Sequence, residues 1–139
     1  MAGDATRFSG GCLCGAVRYE VTGPLAEPHA CHCGQCRRQS GHYVVATGAA
    51  RADFALTESR GLKWYRSSGW ARRGFCADCG SALFWDDGGA EVSINAGSLD
   101  PPTGLTLARH IFVDDKADYY EIDDRLPKFA GYDRPLDPA

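Results

Sequence analysis

Residues 31–37 read CHCGQCR and form the densest cysteine cluster of the chain. Two further clusters lie on either side in sequence, where residues 10–15 read GGCLCG and residues 75–81 read FCADCGS. Together these stretches hold all seven cysteines of the 139-residue chain. Such close spacing lets neighbouring thiolates chelate one metal ion. The clusters therefore predict metal sites around which the chain folds.

Disulfide bonds are the alternative use of clustered cysteines. The odd number of cysteines, their close spacing and an N-terminus without a secretory signal argue against disulfides. No apolar run approaches the roughly 20 residues that a membrane-spanning helix needs. We therefore expect a cytoplasmic protein with reduced thiols and no membrane contact.

Length and composition indicate one ordinary domain that spans residues 1–139. Hydrophobic residues make up 44% of the chain, which is enough for a modest core that bound metal would reinforce. The net charge is −3, whereas a nucleic-acid-binding domain ordinarily carries a basic surface. We expect no nucleic-acid partner.

Short alternating segments predict an all-β domain with antiparallel connections. Residues 16–21 alternate, with Val17, Tyr19 and Val21 on one face, and 17 scattered glycines are typical of tight turns. Further strands are predicted at 42–47, 53–57, 62–66, 71–75, 82–85, 91–95, 109–113 and 119–122. Residues 35–40 are expected to form one short helical turn after the middle cysteines.

The seven potential ligands divide most simply into three and four. Cys31, Cys33 and Cys36 are close enough in sequence to bind one ion from a single loop, which leaves one coordination position open for chemistry. The remaining cysteines come from the two outer pairs and predict a closed structural zinc site: Cys12, Cys14, Cys76 and Cys79. Moving one cysteine from a pair to the middle cluster would break a chelating pair, so this division is favoured.

Two alternatives concern the middle cluster. His32 could complete a site of three cysteines and one histidine, although adjacent residues in an extended turn point apart. An iron–sulfur cluster would need a clear fourth ligand, which the loop lacks. We therefore predict two zinc ions per chain.

The three cysteine stretches, read as 10–19, 31–37 and 75–81, resemble the glutathione-dependent formaldehyde-activating enzyme family, which includes centromere protein V-like domains. The similarity extends to residues 96–100, 109–112 and 126–129 and so covers nearly the whole chain. The resemblance implies a β-tent fold, a structural zinc on the four outer cysteines and a catalytic zinc on Cys31, Cys33 and Cys36. It also implies a carbon–sulfur lyase that forms or cleaves a thiol–aldehyde adduct, such as S-(hydroxymethyl)glutathione from glutathione and formaldehyde.

Three thiolates leave Zn²⁺ with a formal charge of −1, which suits a further soft ligand such as an incoming thiol. The thiolate form of that ligand is the nucleophile that could add to a small aldehyde. The competing hypotheses are a non-catalytic zinc-binding module for protein interaction, and a protein that stores or transfers zinc.

Other residues are candidates for supporting roles, although each type more often packs or faces solvent. Cations that could bind the carboxylates of glutathione are Arg37, Arg38, Arg72 and Arg73. Candidate proton donors are His32, His42 and His110. Aromatic residues that could wall a pocket are Trp64, Trp70, Trp85, Phe84 and Phe112. The acidic pair in the segment 123–129 is expected to form a solvated turn.

Overall fold

A computed structural model describes residues 7–132 of the chain, and the fold is mostly β, as predicted. Within this range there are ten strands: β1 Arg7–Gly11, β2 Arg18–Thr22, β3 His29–Cys31, β4 Val44–Ala50, β5 Phe54–Glu58, β6 Leu62–Arg66, β7 Arg72–Cys76, β8 Ala82–Asp86, β9 Glu91–Asn95 and β10 Arg109–Ile111. One α-helix, α1, spans Gly34–Ser40, and short 3₁₀ turns lie at Arg51–Asp53, Ala96–Ser98 and Val113–Asp115. None of the helices in this range has the length and apolar character that a membrane crossing requires.

The strands form two sheets. Three antiparallel strands make the smaller sheet in the order β1-β2-β5, and seven make the larger one in the order β10-β3-β4-β9-β8-β7-β6. Only the pairing of β10 with β3 is parallel among the paired strands of residues 7–132. The expectation of antiparallel connections is therefore wrong at this edge, where the long segment 32–108 supplies the crossover that parallel strands need.

One predicted strand is wrong and two strands are missing from the prediction. Residues 119–122 form a turn and irregular chain. The Tyr119 and Tyr120 hydroxyls are hydrogen-bonded to His42 and His32, so this segment is held by side chains instead of a strand ladder. The missed strands are β1, which is rich in small residues, and β3, which has only three residues.

Two apolar clusters fill the interior, and each includes cysteines. The larger contains Tyr19 and Phe84, whose rings meet edge to face at 5.3 Å, and it extends to Cys12 and Cys76. The smaller surrounds the middle cysteines and consists of Cys31, Cys36, Val44, Ala46 and Ile111, with Phe112 and Phe129 packed against it. Each predicted metal site thus lies against its own part of the core.

Candidate metal centres

The four outer cysteines converge on one point. Cys12 and Cys14 lie in the turn between β1 and β2, whereas Cys76 ends β7 and Cys79 lies in the turn before β8. Their Sγ atoms all lie within 4.8 Å of one another, with 3.7 Å from Cys12 to Cys14 and 3.8 Å from Cys14 to Cys76. Zinc–sulfur bonds of about 2.3 Å place tetrahedral sulfurs about 3.8 Å apart. The residues present therefore fit a four-thiolate zinc ion.

Hydrogen bonds to the sulfurs hold this cluster in place. The Val17 N–H donates to Cys12 Sγ at 3.2 Å, and Cys79 Sγ lies 3.2 Å from Ser81 Oγ. The Ser81 side chain lowers the pKa of Cys79 to about 5 because it donates to the thiolate. Gly80 turns the chain with a φ of 84°, a conformation that favours glycine. These contacts orient the sulfurs as the outer shell of a metal site does.

Gly61 packs directly against this cluster from the turn that precedes β6. A Cβ atom at Gly61 would lie 2.7 Å from Ala16 Cβ and 2.9 Å from Cys76 Sγ. The backbone cannot easily retreat, because the Gly61 N–H donates to Ala16 O and the Gly61 carbonyl accepts from Ala77 N–H. The close approach of the two chain segments requires a residue without a side chain.

The three middle cysteines also converge. Cys31 ends β3, Cys33 caps the N-terminus of α1, and Cys36 lies in the first turn of that helix. Their Sγ atoms lie within 4.8 Å of one another, and among residues 7–132 no further Cys, His, Asp or Glu joins the group. The pKa of Cys33 is held far below its ordinary value because the Cys31 and Cys36 thiols donate to its sulfur. Three thiolates in this arrangement fit a zinc ion with one position left for another ligand.

The ring of His32 is hydrogen-bonded to other side chains and not directed at the three cysteines. Its Nε2 lies 2.9 Å from His110 Nδ1, its Nδ1 is hydrogen-bonded to the Tyr120 hydroxyl, and the side chain is only 1% exposed. Both ring nitrogens therefore have partners other than a metal. This geometry disfavours His32 as the fourth ligand.

The histidine contacts continue into a buried polar chain that sequence reasoning missed. His110 Nε2 lies 2.7 Å from Asp124 Oδ2, so the exposed turn that contains Asp124 is solvated, as expected, and also contacts a buried ring. Burial lowers the pKa of His32 to about 4, and the bond from His110 lowers that of Asp124 to about 2. If both imidazole rings are neutral, every donor and acceptor in this chain is paired in one arrangement. The Tyr120 O–H donates to His32, His32 donates to His110, and His110 donates to the Asp124 carboxylate. No spacing in the sequence connects these residues.

His42 lies at the surface beside that chain, and its ring meets Tyr120 edge to face at 4.5 Å. Its Nδ1 lies 2.9 Å from the Tyr119 hydroxyl, and the two rings stack at 5.4 Å. Of the three predicted proton donors, the structure therefore joins His32 and His110 and leaves His42 outside their chain.

The four candidate arginines have different surroundings. Arg73 is buried, and its Nη1 and Nη2 lie 3.7 and 3.8 Å from Cys36 Sγ. Arg72 stacks on Trp64 at 3.9 Å and pairs with Asp86 at 3.1 Å. Arg38 is exposed on α1, and Arg37 on the same helix is partly buried. Only Arg73 contacts a cysteine of the middle cluster through a described hydrogen bond.

A cavity of about 500 Å³ lies next to the Arg73 side chain, which forms part of its lining. Its lining includes Arg38, Arg73, Gln35, Tyr65 and Phe75. The volume falls within the range of about 300–1,000 Å³ that is usual for small-molecule sites.

None of the five aromatic residues considered as pocket walls lines this cavity, and their packing agrees with the role that the sequence favoured. Trp64 and Phe84 pack in or against the larger apolar cluster, and Phe112 packs against the smaller one. Trp70 and Trp85 contact each other edge to face. The aromatic lining instead comes from Tyr65 and Phe75, whose strands β6 and β7 bring them to this side.

Comparison with known proteins gives consistent results. The profile of the family described as "Glutathione-dependent formaldehyde-activating enzyme" matches residues 7–115. A Schizosaccharomyces pombe protein named as an "Uncharacterized lyase" is 27% identical over 125 residues, which cover 88% of this chain and 90% of the relative. A Halomonas elongata protein named "Putative glutathione-dependent formaldehyde-activating enzyme" is 31% identical over 147 residues, which cover 90% and 88%. A crystal structure of a Rhodobacter sphaeroides protein superposes with a TM-score of 0.56 and 28% identity over 67% of this chain and 88% of that one.

Proposed function

The chain belongs to the glutathione-dependent formaldehyde-activating enzyme family, and from this premise we propose that it is a zinc-dependent carbon–sulfur lyase. In this proposal residues 1–139 form one domain, with a structural zinc on the four outer cysteines and a catalytic zinc on Cys31, Cys33 and Cys36. The substrates are a small thiol and an aldehyde, with glutathione and formaldehyde as the first pair to test. A cytoplasmic location stays a prediction.

The observation that carries the proposal is the set of three clustered thiols that is linked through Arg73, which contacts Cys36, to a cavity with cationic groups. A structural site would need a fourth protein ligand, and none joins this group among residues 7–132. The cavity offers the exposed guanidinium of Arg38, which can bind a carboxylate with two parallel hydrogen bonds. Glutathione carries two carboxylates, so a cationic lining suits it.

The chemistry is a reversible addition. The thiolate sulfur attacks the carbonyl carbon, a carbon–sulfur bond forms, and the π electron pair of the carbonyl moves to oxygen. The oxygen then takes the proton that the thiol has lost, and the reverse reaction releases both substrates. Zinc held by the three cysteines would supply an open coordination position that favours the ionised form of the thiol.

The chain's own residues contribute by holding the centre and the substrate. Cys33 caps α1, and the Cys36 N–H donates to its sulfur at 3.3 Å, so the loop is fixed by its own helix. The proposal gives His32 and His110 no proton transfer to substrate, because their ring nitrogens are used within the buried polar chain. Their role is to anchor the chain behind the cysteines.

The test combines metal analysis with an exchange measurement. Wild-type protein should contain two zinc ions and should speed the conversion of ¹³C-formaldehyde and glutathione into their adduct, followed by exchange NMR. Cys36→Ser should retain one zinc and its cooperative thermal unfolding but lose the acceleration, whereas Cys76→Ser should lose the other zinc and much of its stability.

Two outcomes would contradict the proposal. The first is full zinc content and full turnover in Cys36→Ser. The second is wild-type protein with two inert zinc ions that accelerates adduct formation with neither glutathione nor another thiol, which would favour the non-catalytic binding module.

A further inference from the structure

We propose that Arg73 is the counter-cation of the three-cysteine centre and makes that centre selective for an anionic sulfur as its fourth ligand. The inference rests on the proposed function for its thiol ligand. It assigns to Arg73 an electrostatic role, in which the guanidinium balances the negative charge of the cysteine thiolates.

Arg73 is a buried charge without a carboxylate partner in the described part of the chain. Its side chain lies on β7 and is 8% exposed. Its Nη1 donates to Gln39 Oε1 at 3.1 Å and its Nη2 to Gln35 Oε1 at 3.2 Å, and both acceptors are neutral amides. Its Nε is buried without a hydrogen-bond partner, and none of the ion pairs described for residues 7–132 includes Arg73. Burying a guanidinium is costly unless an opposite charge compensates it.

The cysteines are the nearest source of that opposite charge. Both terminal nitrogens of Arg73 approach Cys36 Sγ, at 3.7 and 3.8 Å. Cysteines must be deprotonated to bind a metal, so a loaded centre presents thiolates to the guanidinium. Zn²⁺ with three thiolates has a net charge of −1, and Arg73 brings the assembly to zero.

This charge balance decides which fourth ligand is accepted. A thiolate would raise the negative charge to −2 without Arg73, but only to −1 with it. Charge interactions are stronger in a partly buried site than in water, so the difference favours thiolate binding. A neutral ligand such as imidazole adds no charge and gains much less from Arg73. The contrast between the two ligand types is the signature of a counter-cation.

Arg73 also lines the cavity, so it could instead bind a substrate carboxylate. The two roles differ in the ligands that they affect. A carboxylate clamp would assist glutathione but not 2-mercaptoethanol, which has a thiol and no carboxylate. A counter-cation assists both.

The experiment measures ligand binding to the cobalt-substituted protein, in which absorption bands report the fourth ligand. The titrants are 2-mercaptoethanol, glutathione and imidazole, and the variants are Arg73→Met, Arg73→Lys and the control Arg72→Met. Arg72 is the neighbour on β7, but it pairs with Asp86 and contacts Trp64.

In Arg73→Met we expect both thiols to lose affinity at least about tenfold relative to imidazole. Cobalt affinity at the three-cysteine site should fall by about 10- to 100-fold, the usual range for outer-shell changes, with the four-cysteine site unchanged. Arg72→Met should keep the wild-type preference for thiols. Arg73→Lys, which keeps the charge, should retain most of the preference, and it provides the test if Arg73→Met does not fold.

An unchanged ratio of thiol to imidazole affinity in Arg73→Met would overturn the proposal. So would a loss confined to glutathione, which would identify a carboxylate clamp, or loss of the preference in folded Arg73→Lys. These outcomes do not depend on turnover. A wild-type protein that prefers thiols but forms no adduct would contradict the proposed function and leave this inference standing.

Discussion

Replacing Gly61 by alanine tests whether the packing of one residue protects the four-cysteine cluster. The new methyl group would lie 2.7 Å from Ala16 Cβ and 2.9 Å from Cys76 Sγ. Carbon atoms in ordinary contact are about 3.5–4.0 Å apart, so the overlap is about 1 Å. Hydrogen bonds on both sides of Gly61 resist a shift of the backbone.

The magnitude follows from two opposing effects. Overpacking of this kind costs about 1–3 kcal/mol. Alanine also restricts the unfolded chain, which offsets the cost by about 0.4–1 kcal/mol. We therefore expect Gly61→Ala to lower the free energy of unfolding by about 1.3 kcal/mol, the difference between the midpoints of the two ranges, and by at most about 2.6 kcal/mol. Because Cys76 must move to relieve the contact, the variant should also release zinc to a chromogenic chelator faster than the wild type.

The assay is urea unfolding of zinc-loaded protein, followed by tryptophan fluorescence. The matched control is Gly69→Ala, because a Cβ there meets nothing within 4 Å and the φ of Gly69 is not in the left-handed region. This control should be more stable than the wild type by up to about 1 kcal/mol, because only the effect of alanine on the unfolded chain applies there. Equal stability and equal zinc release in the two variants would refute the packing argument.

Two further predictions concern stability. Asp86→Asn should cost at most about 2.5 kcal/mol at pH 7, because its arginine partners lower the pKa of Asp86 from 3.8 to about 2 and each pKa unit is worth about 1.4 kcal/mol. Because folding lowers this pKa, the ionised Asp86 stabilises the folded state above about pH 4, and this stabilisation is lost as the pH falls through about 2. The difference in unfolding free energy between wild type and Asp86→Asn should therefore shrink between about pH 4 and pH 2. An equal loss in the control Asp87→Asn would contradict this assignment. Tyr19→Phe should cost about 1 kcal/mol in thermal unfolding, because the buried Tyr19 hydroxyl is hydrogen-bonded to Ser98 Oγ at 2.6 Å; no loss would show that the bond contributes nothing.

Local sequence signals predicted much of the sheet structure. The strands at 62–66 and 91–95 coincide with β6 and β9, and 82–85 differs from β8 by one residue. These segments pair with sequence neighbours in hairpins, so their pattern and turns are enough to define them. Strand β3 was missed because its three residues are too few for a periodic pattern, and its pairing with β10 joins segments about 80 residues apart.

Cysteine spacing also predicted which thiols meet, since each set of Sγ atoms lies within 4.8 Å. The roles of the two sets stay predictions. Spacing could not show that Arg73 contacts Cys36, because β7 and α1 come together only in the folded chain. The same holds for the bond between His110 and Asp124, where a turn that looks solvated in sequence reaches a buried ring. Tertiary contacts, which local patterns do not encode, supply these features.

The parallel pairing of β10 with β3 has a consequence for biosynthesis. A ribosome delivers all four outer cysteines by residue 79, whereas β10 begins only at Arg109 and Phe129 comes later still. Chains start to fold during synthesis from the N-terminal side. The nascent chain can therefore capture its first ion before the segment that backs the second cluster has been made. Although Cys31, Cys33 and Cys36 are synthesised before Cys76 and Cys79, we expect their site to reach its full metal affinity only after β10 and Phe129 have been made, and therefore after the four-cysteine site.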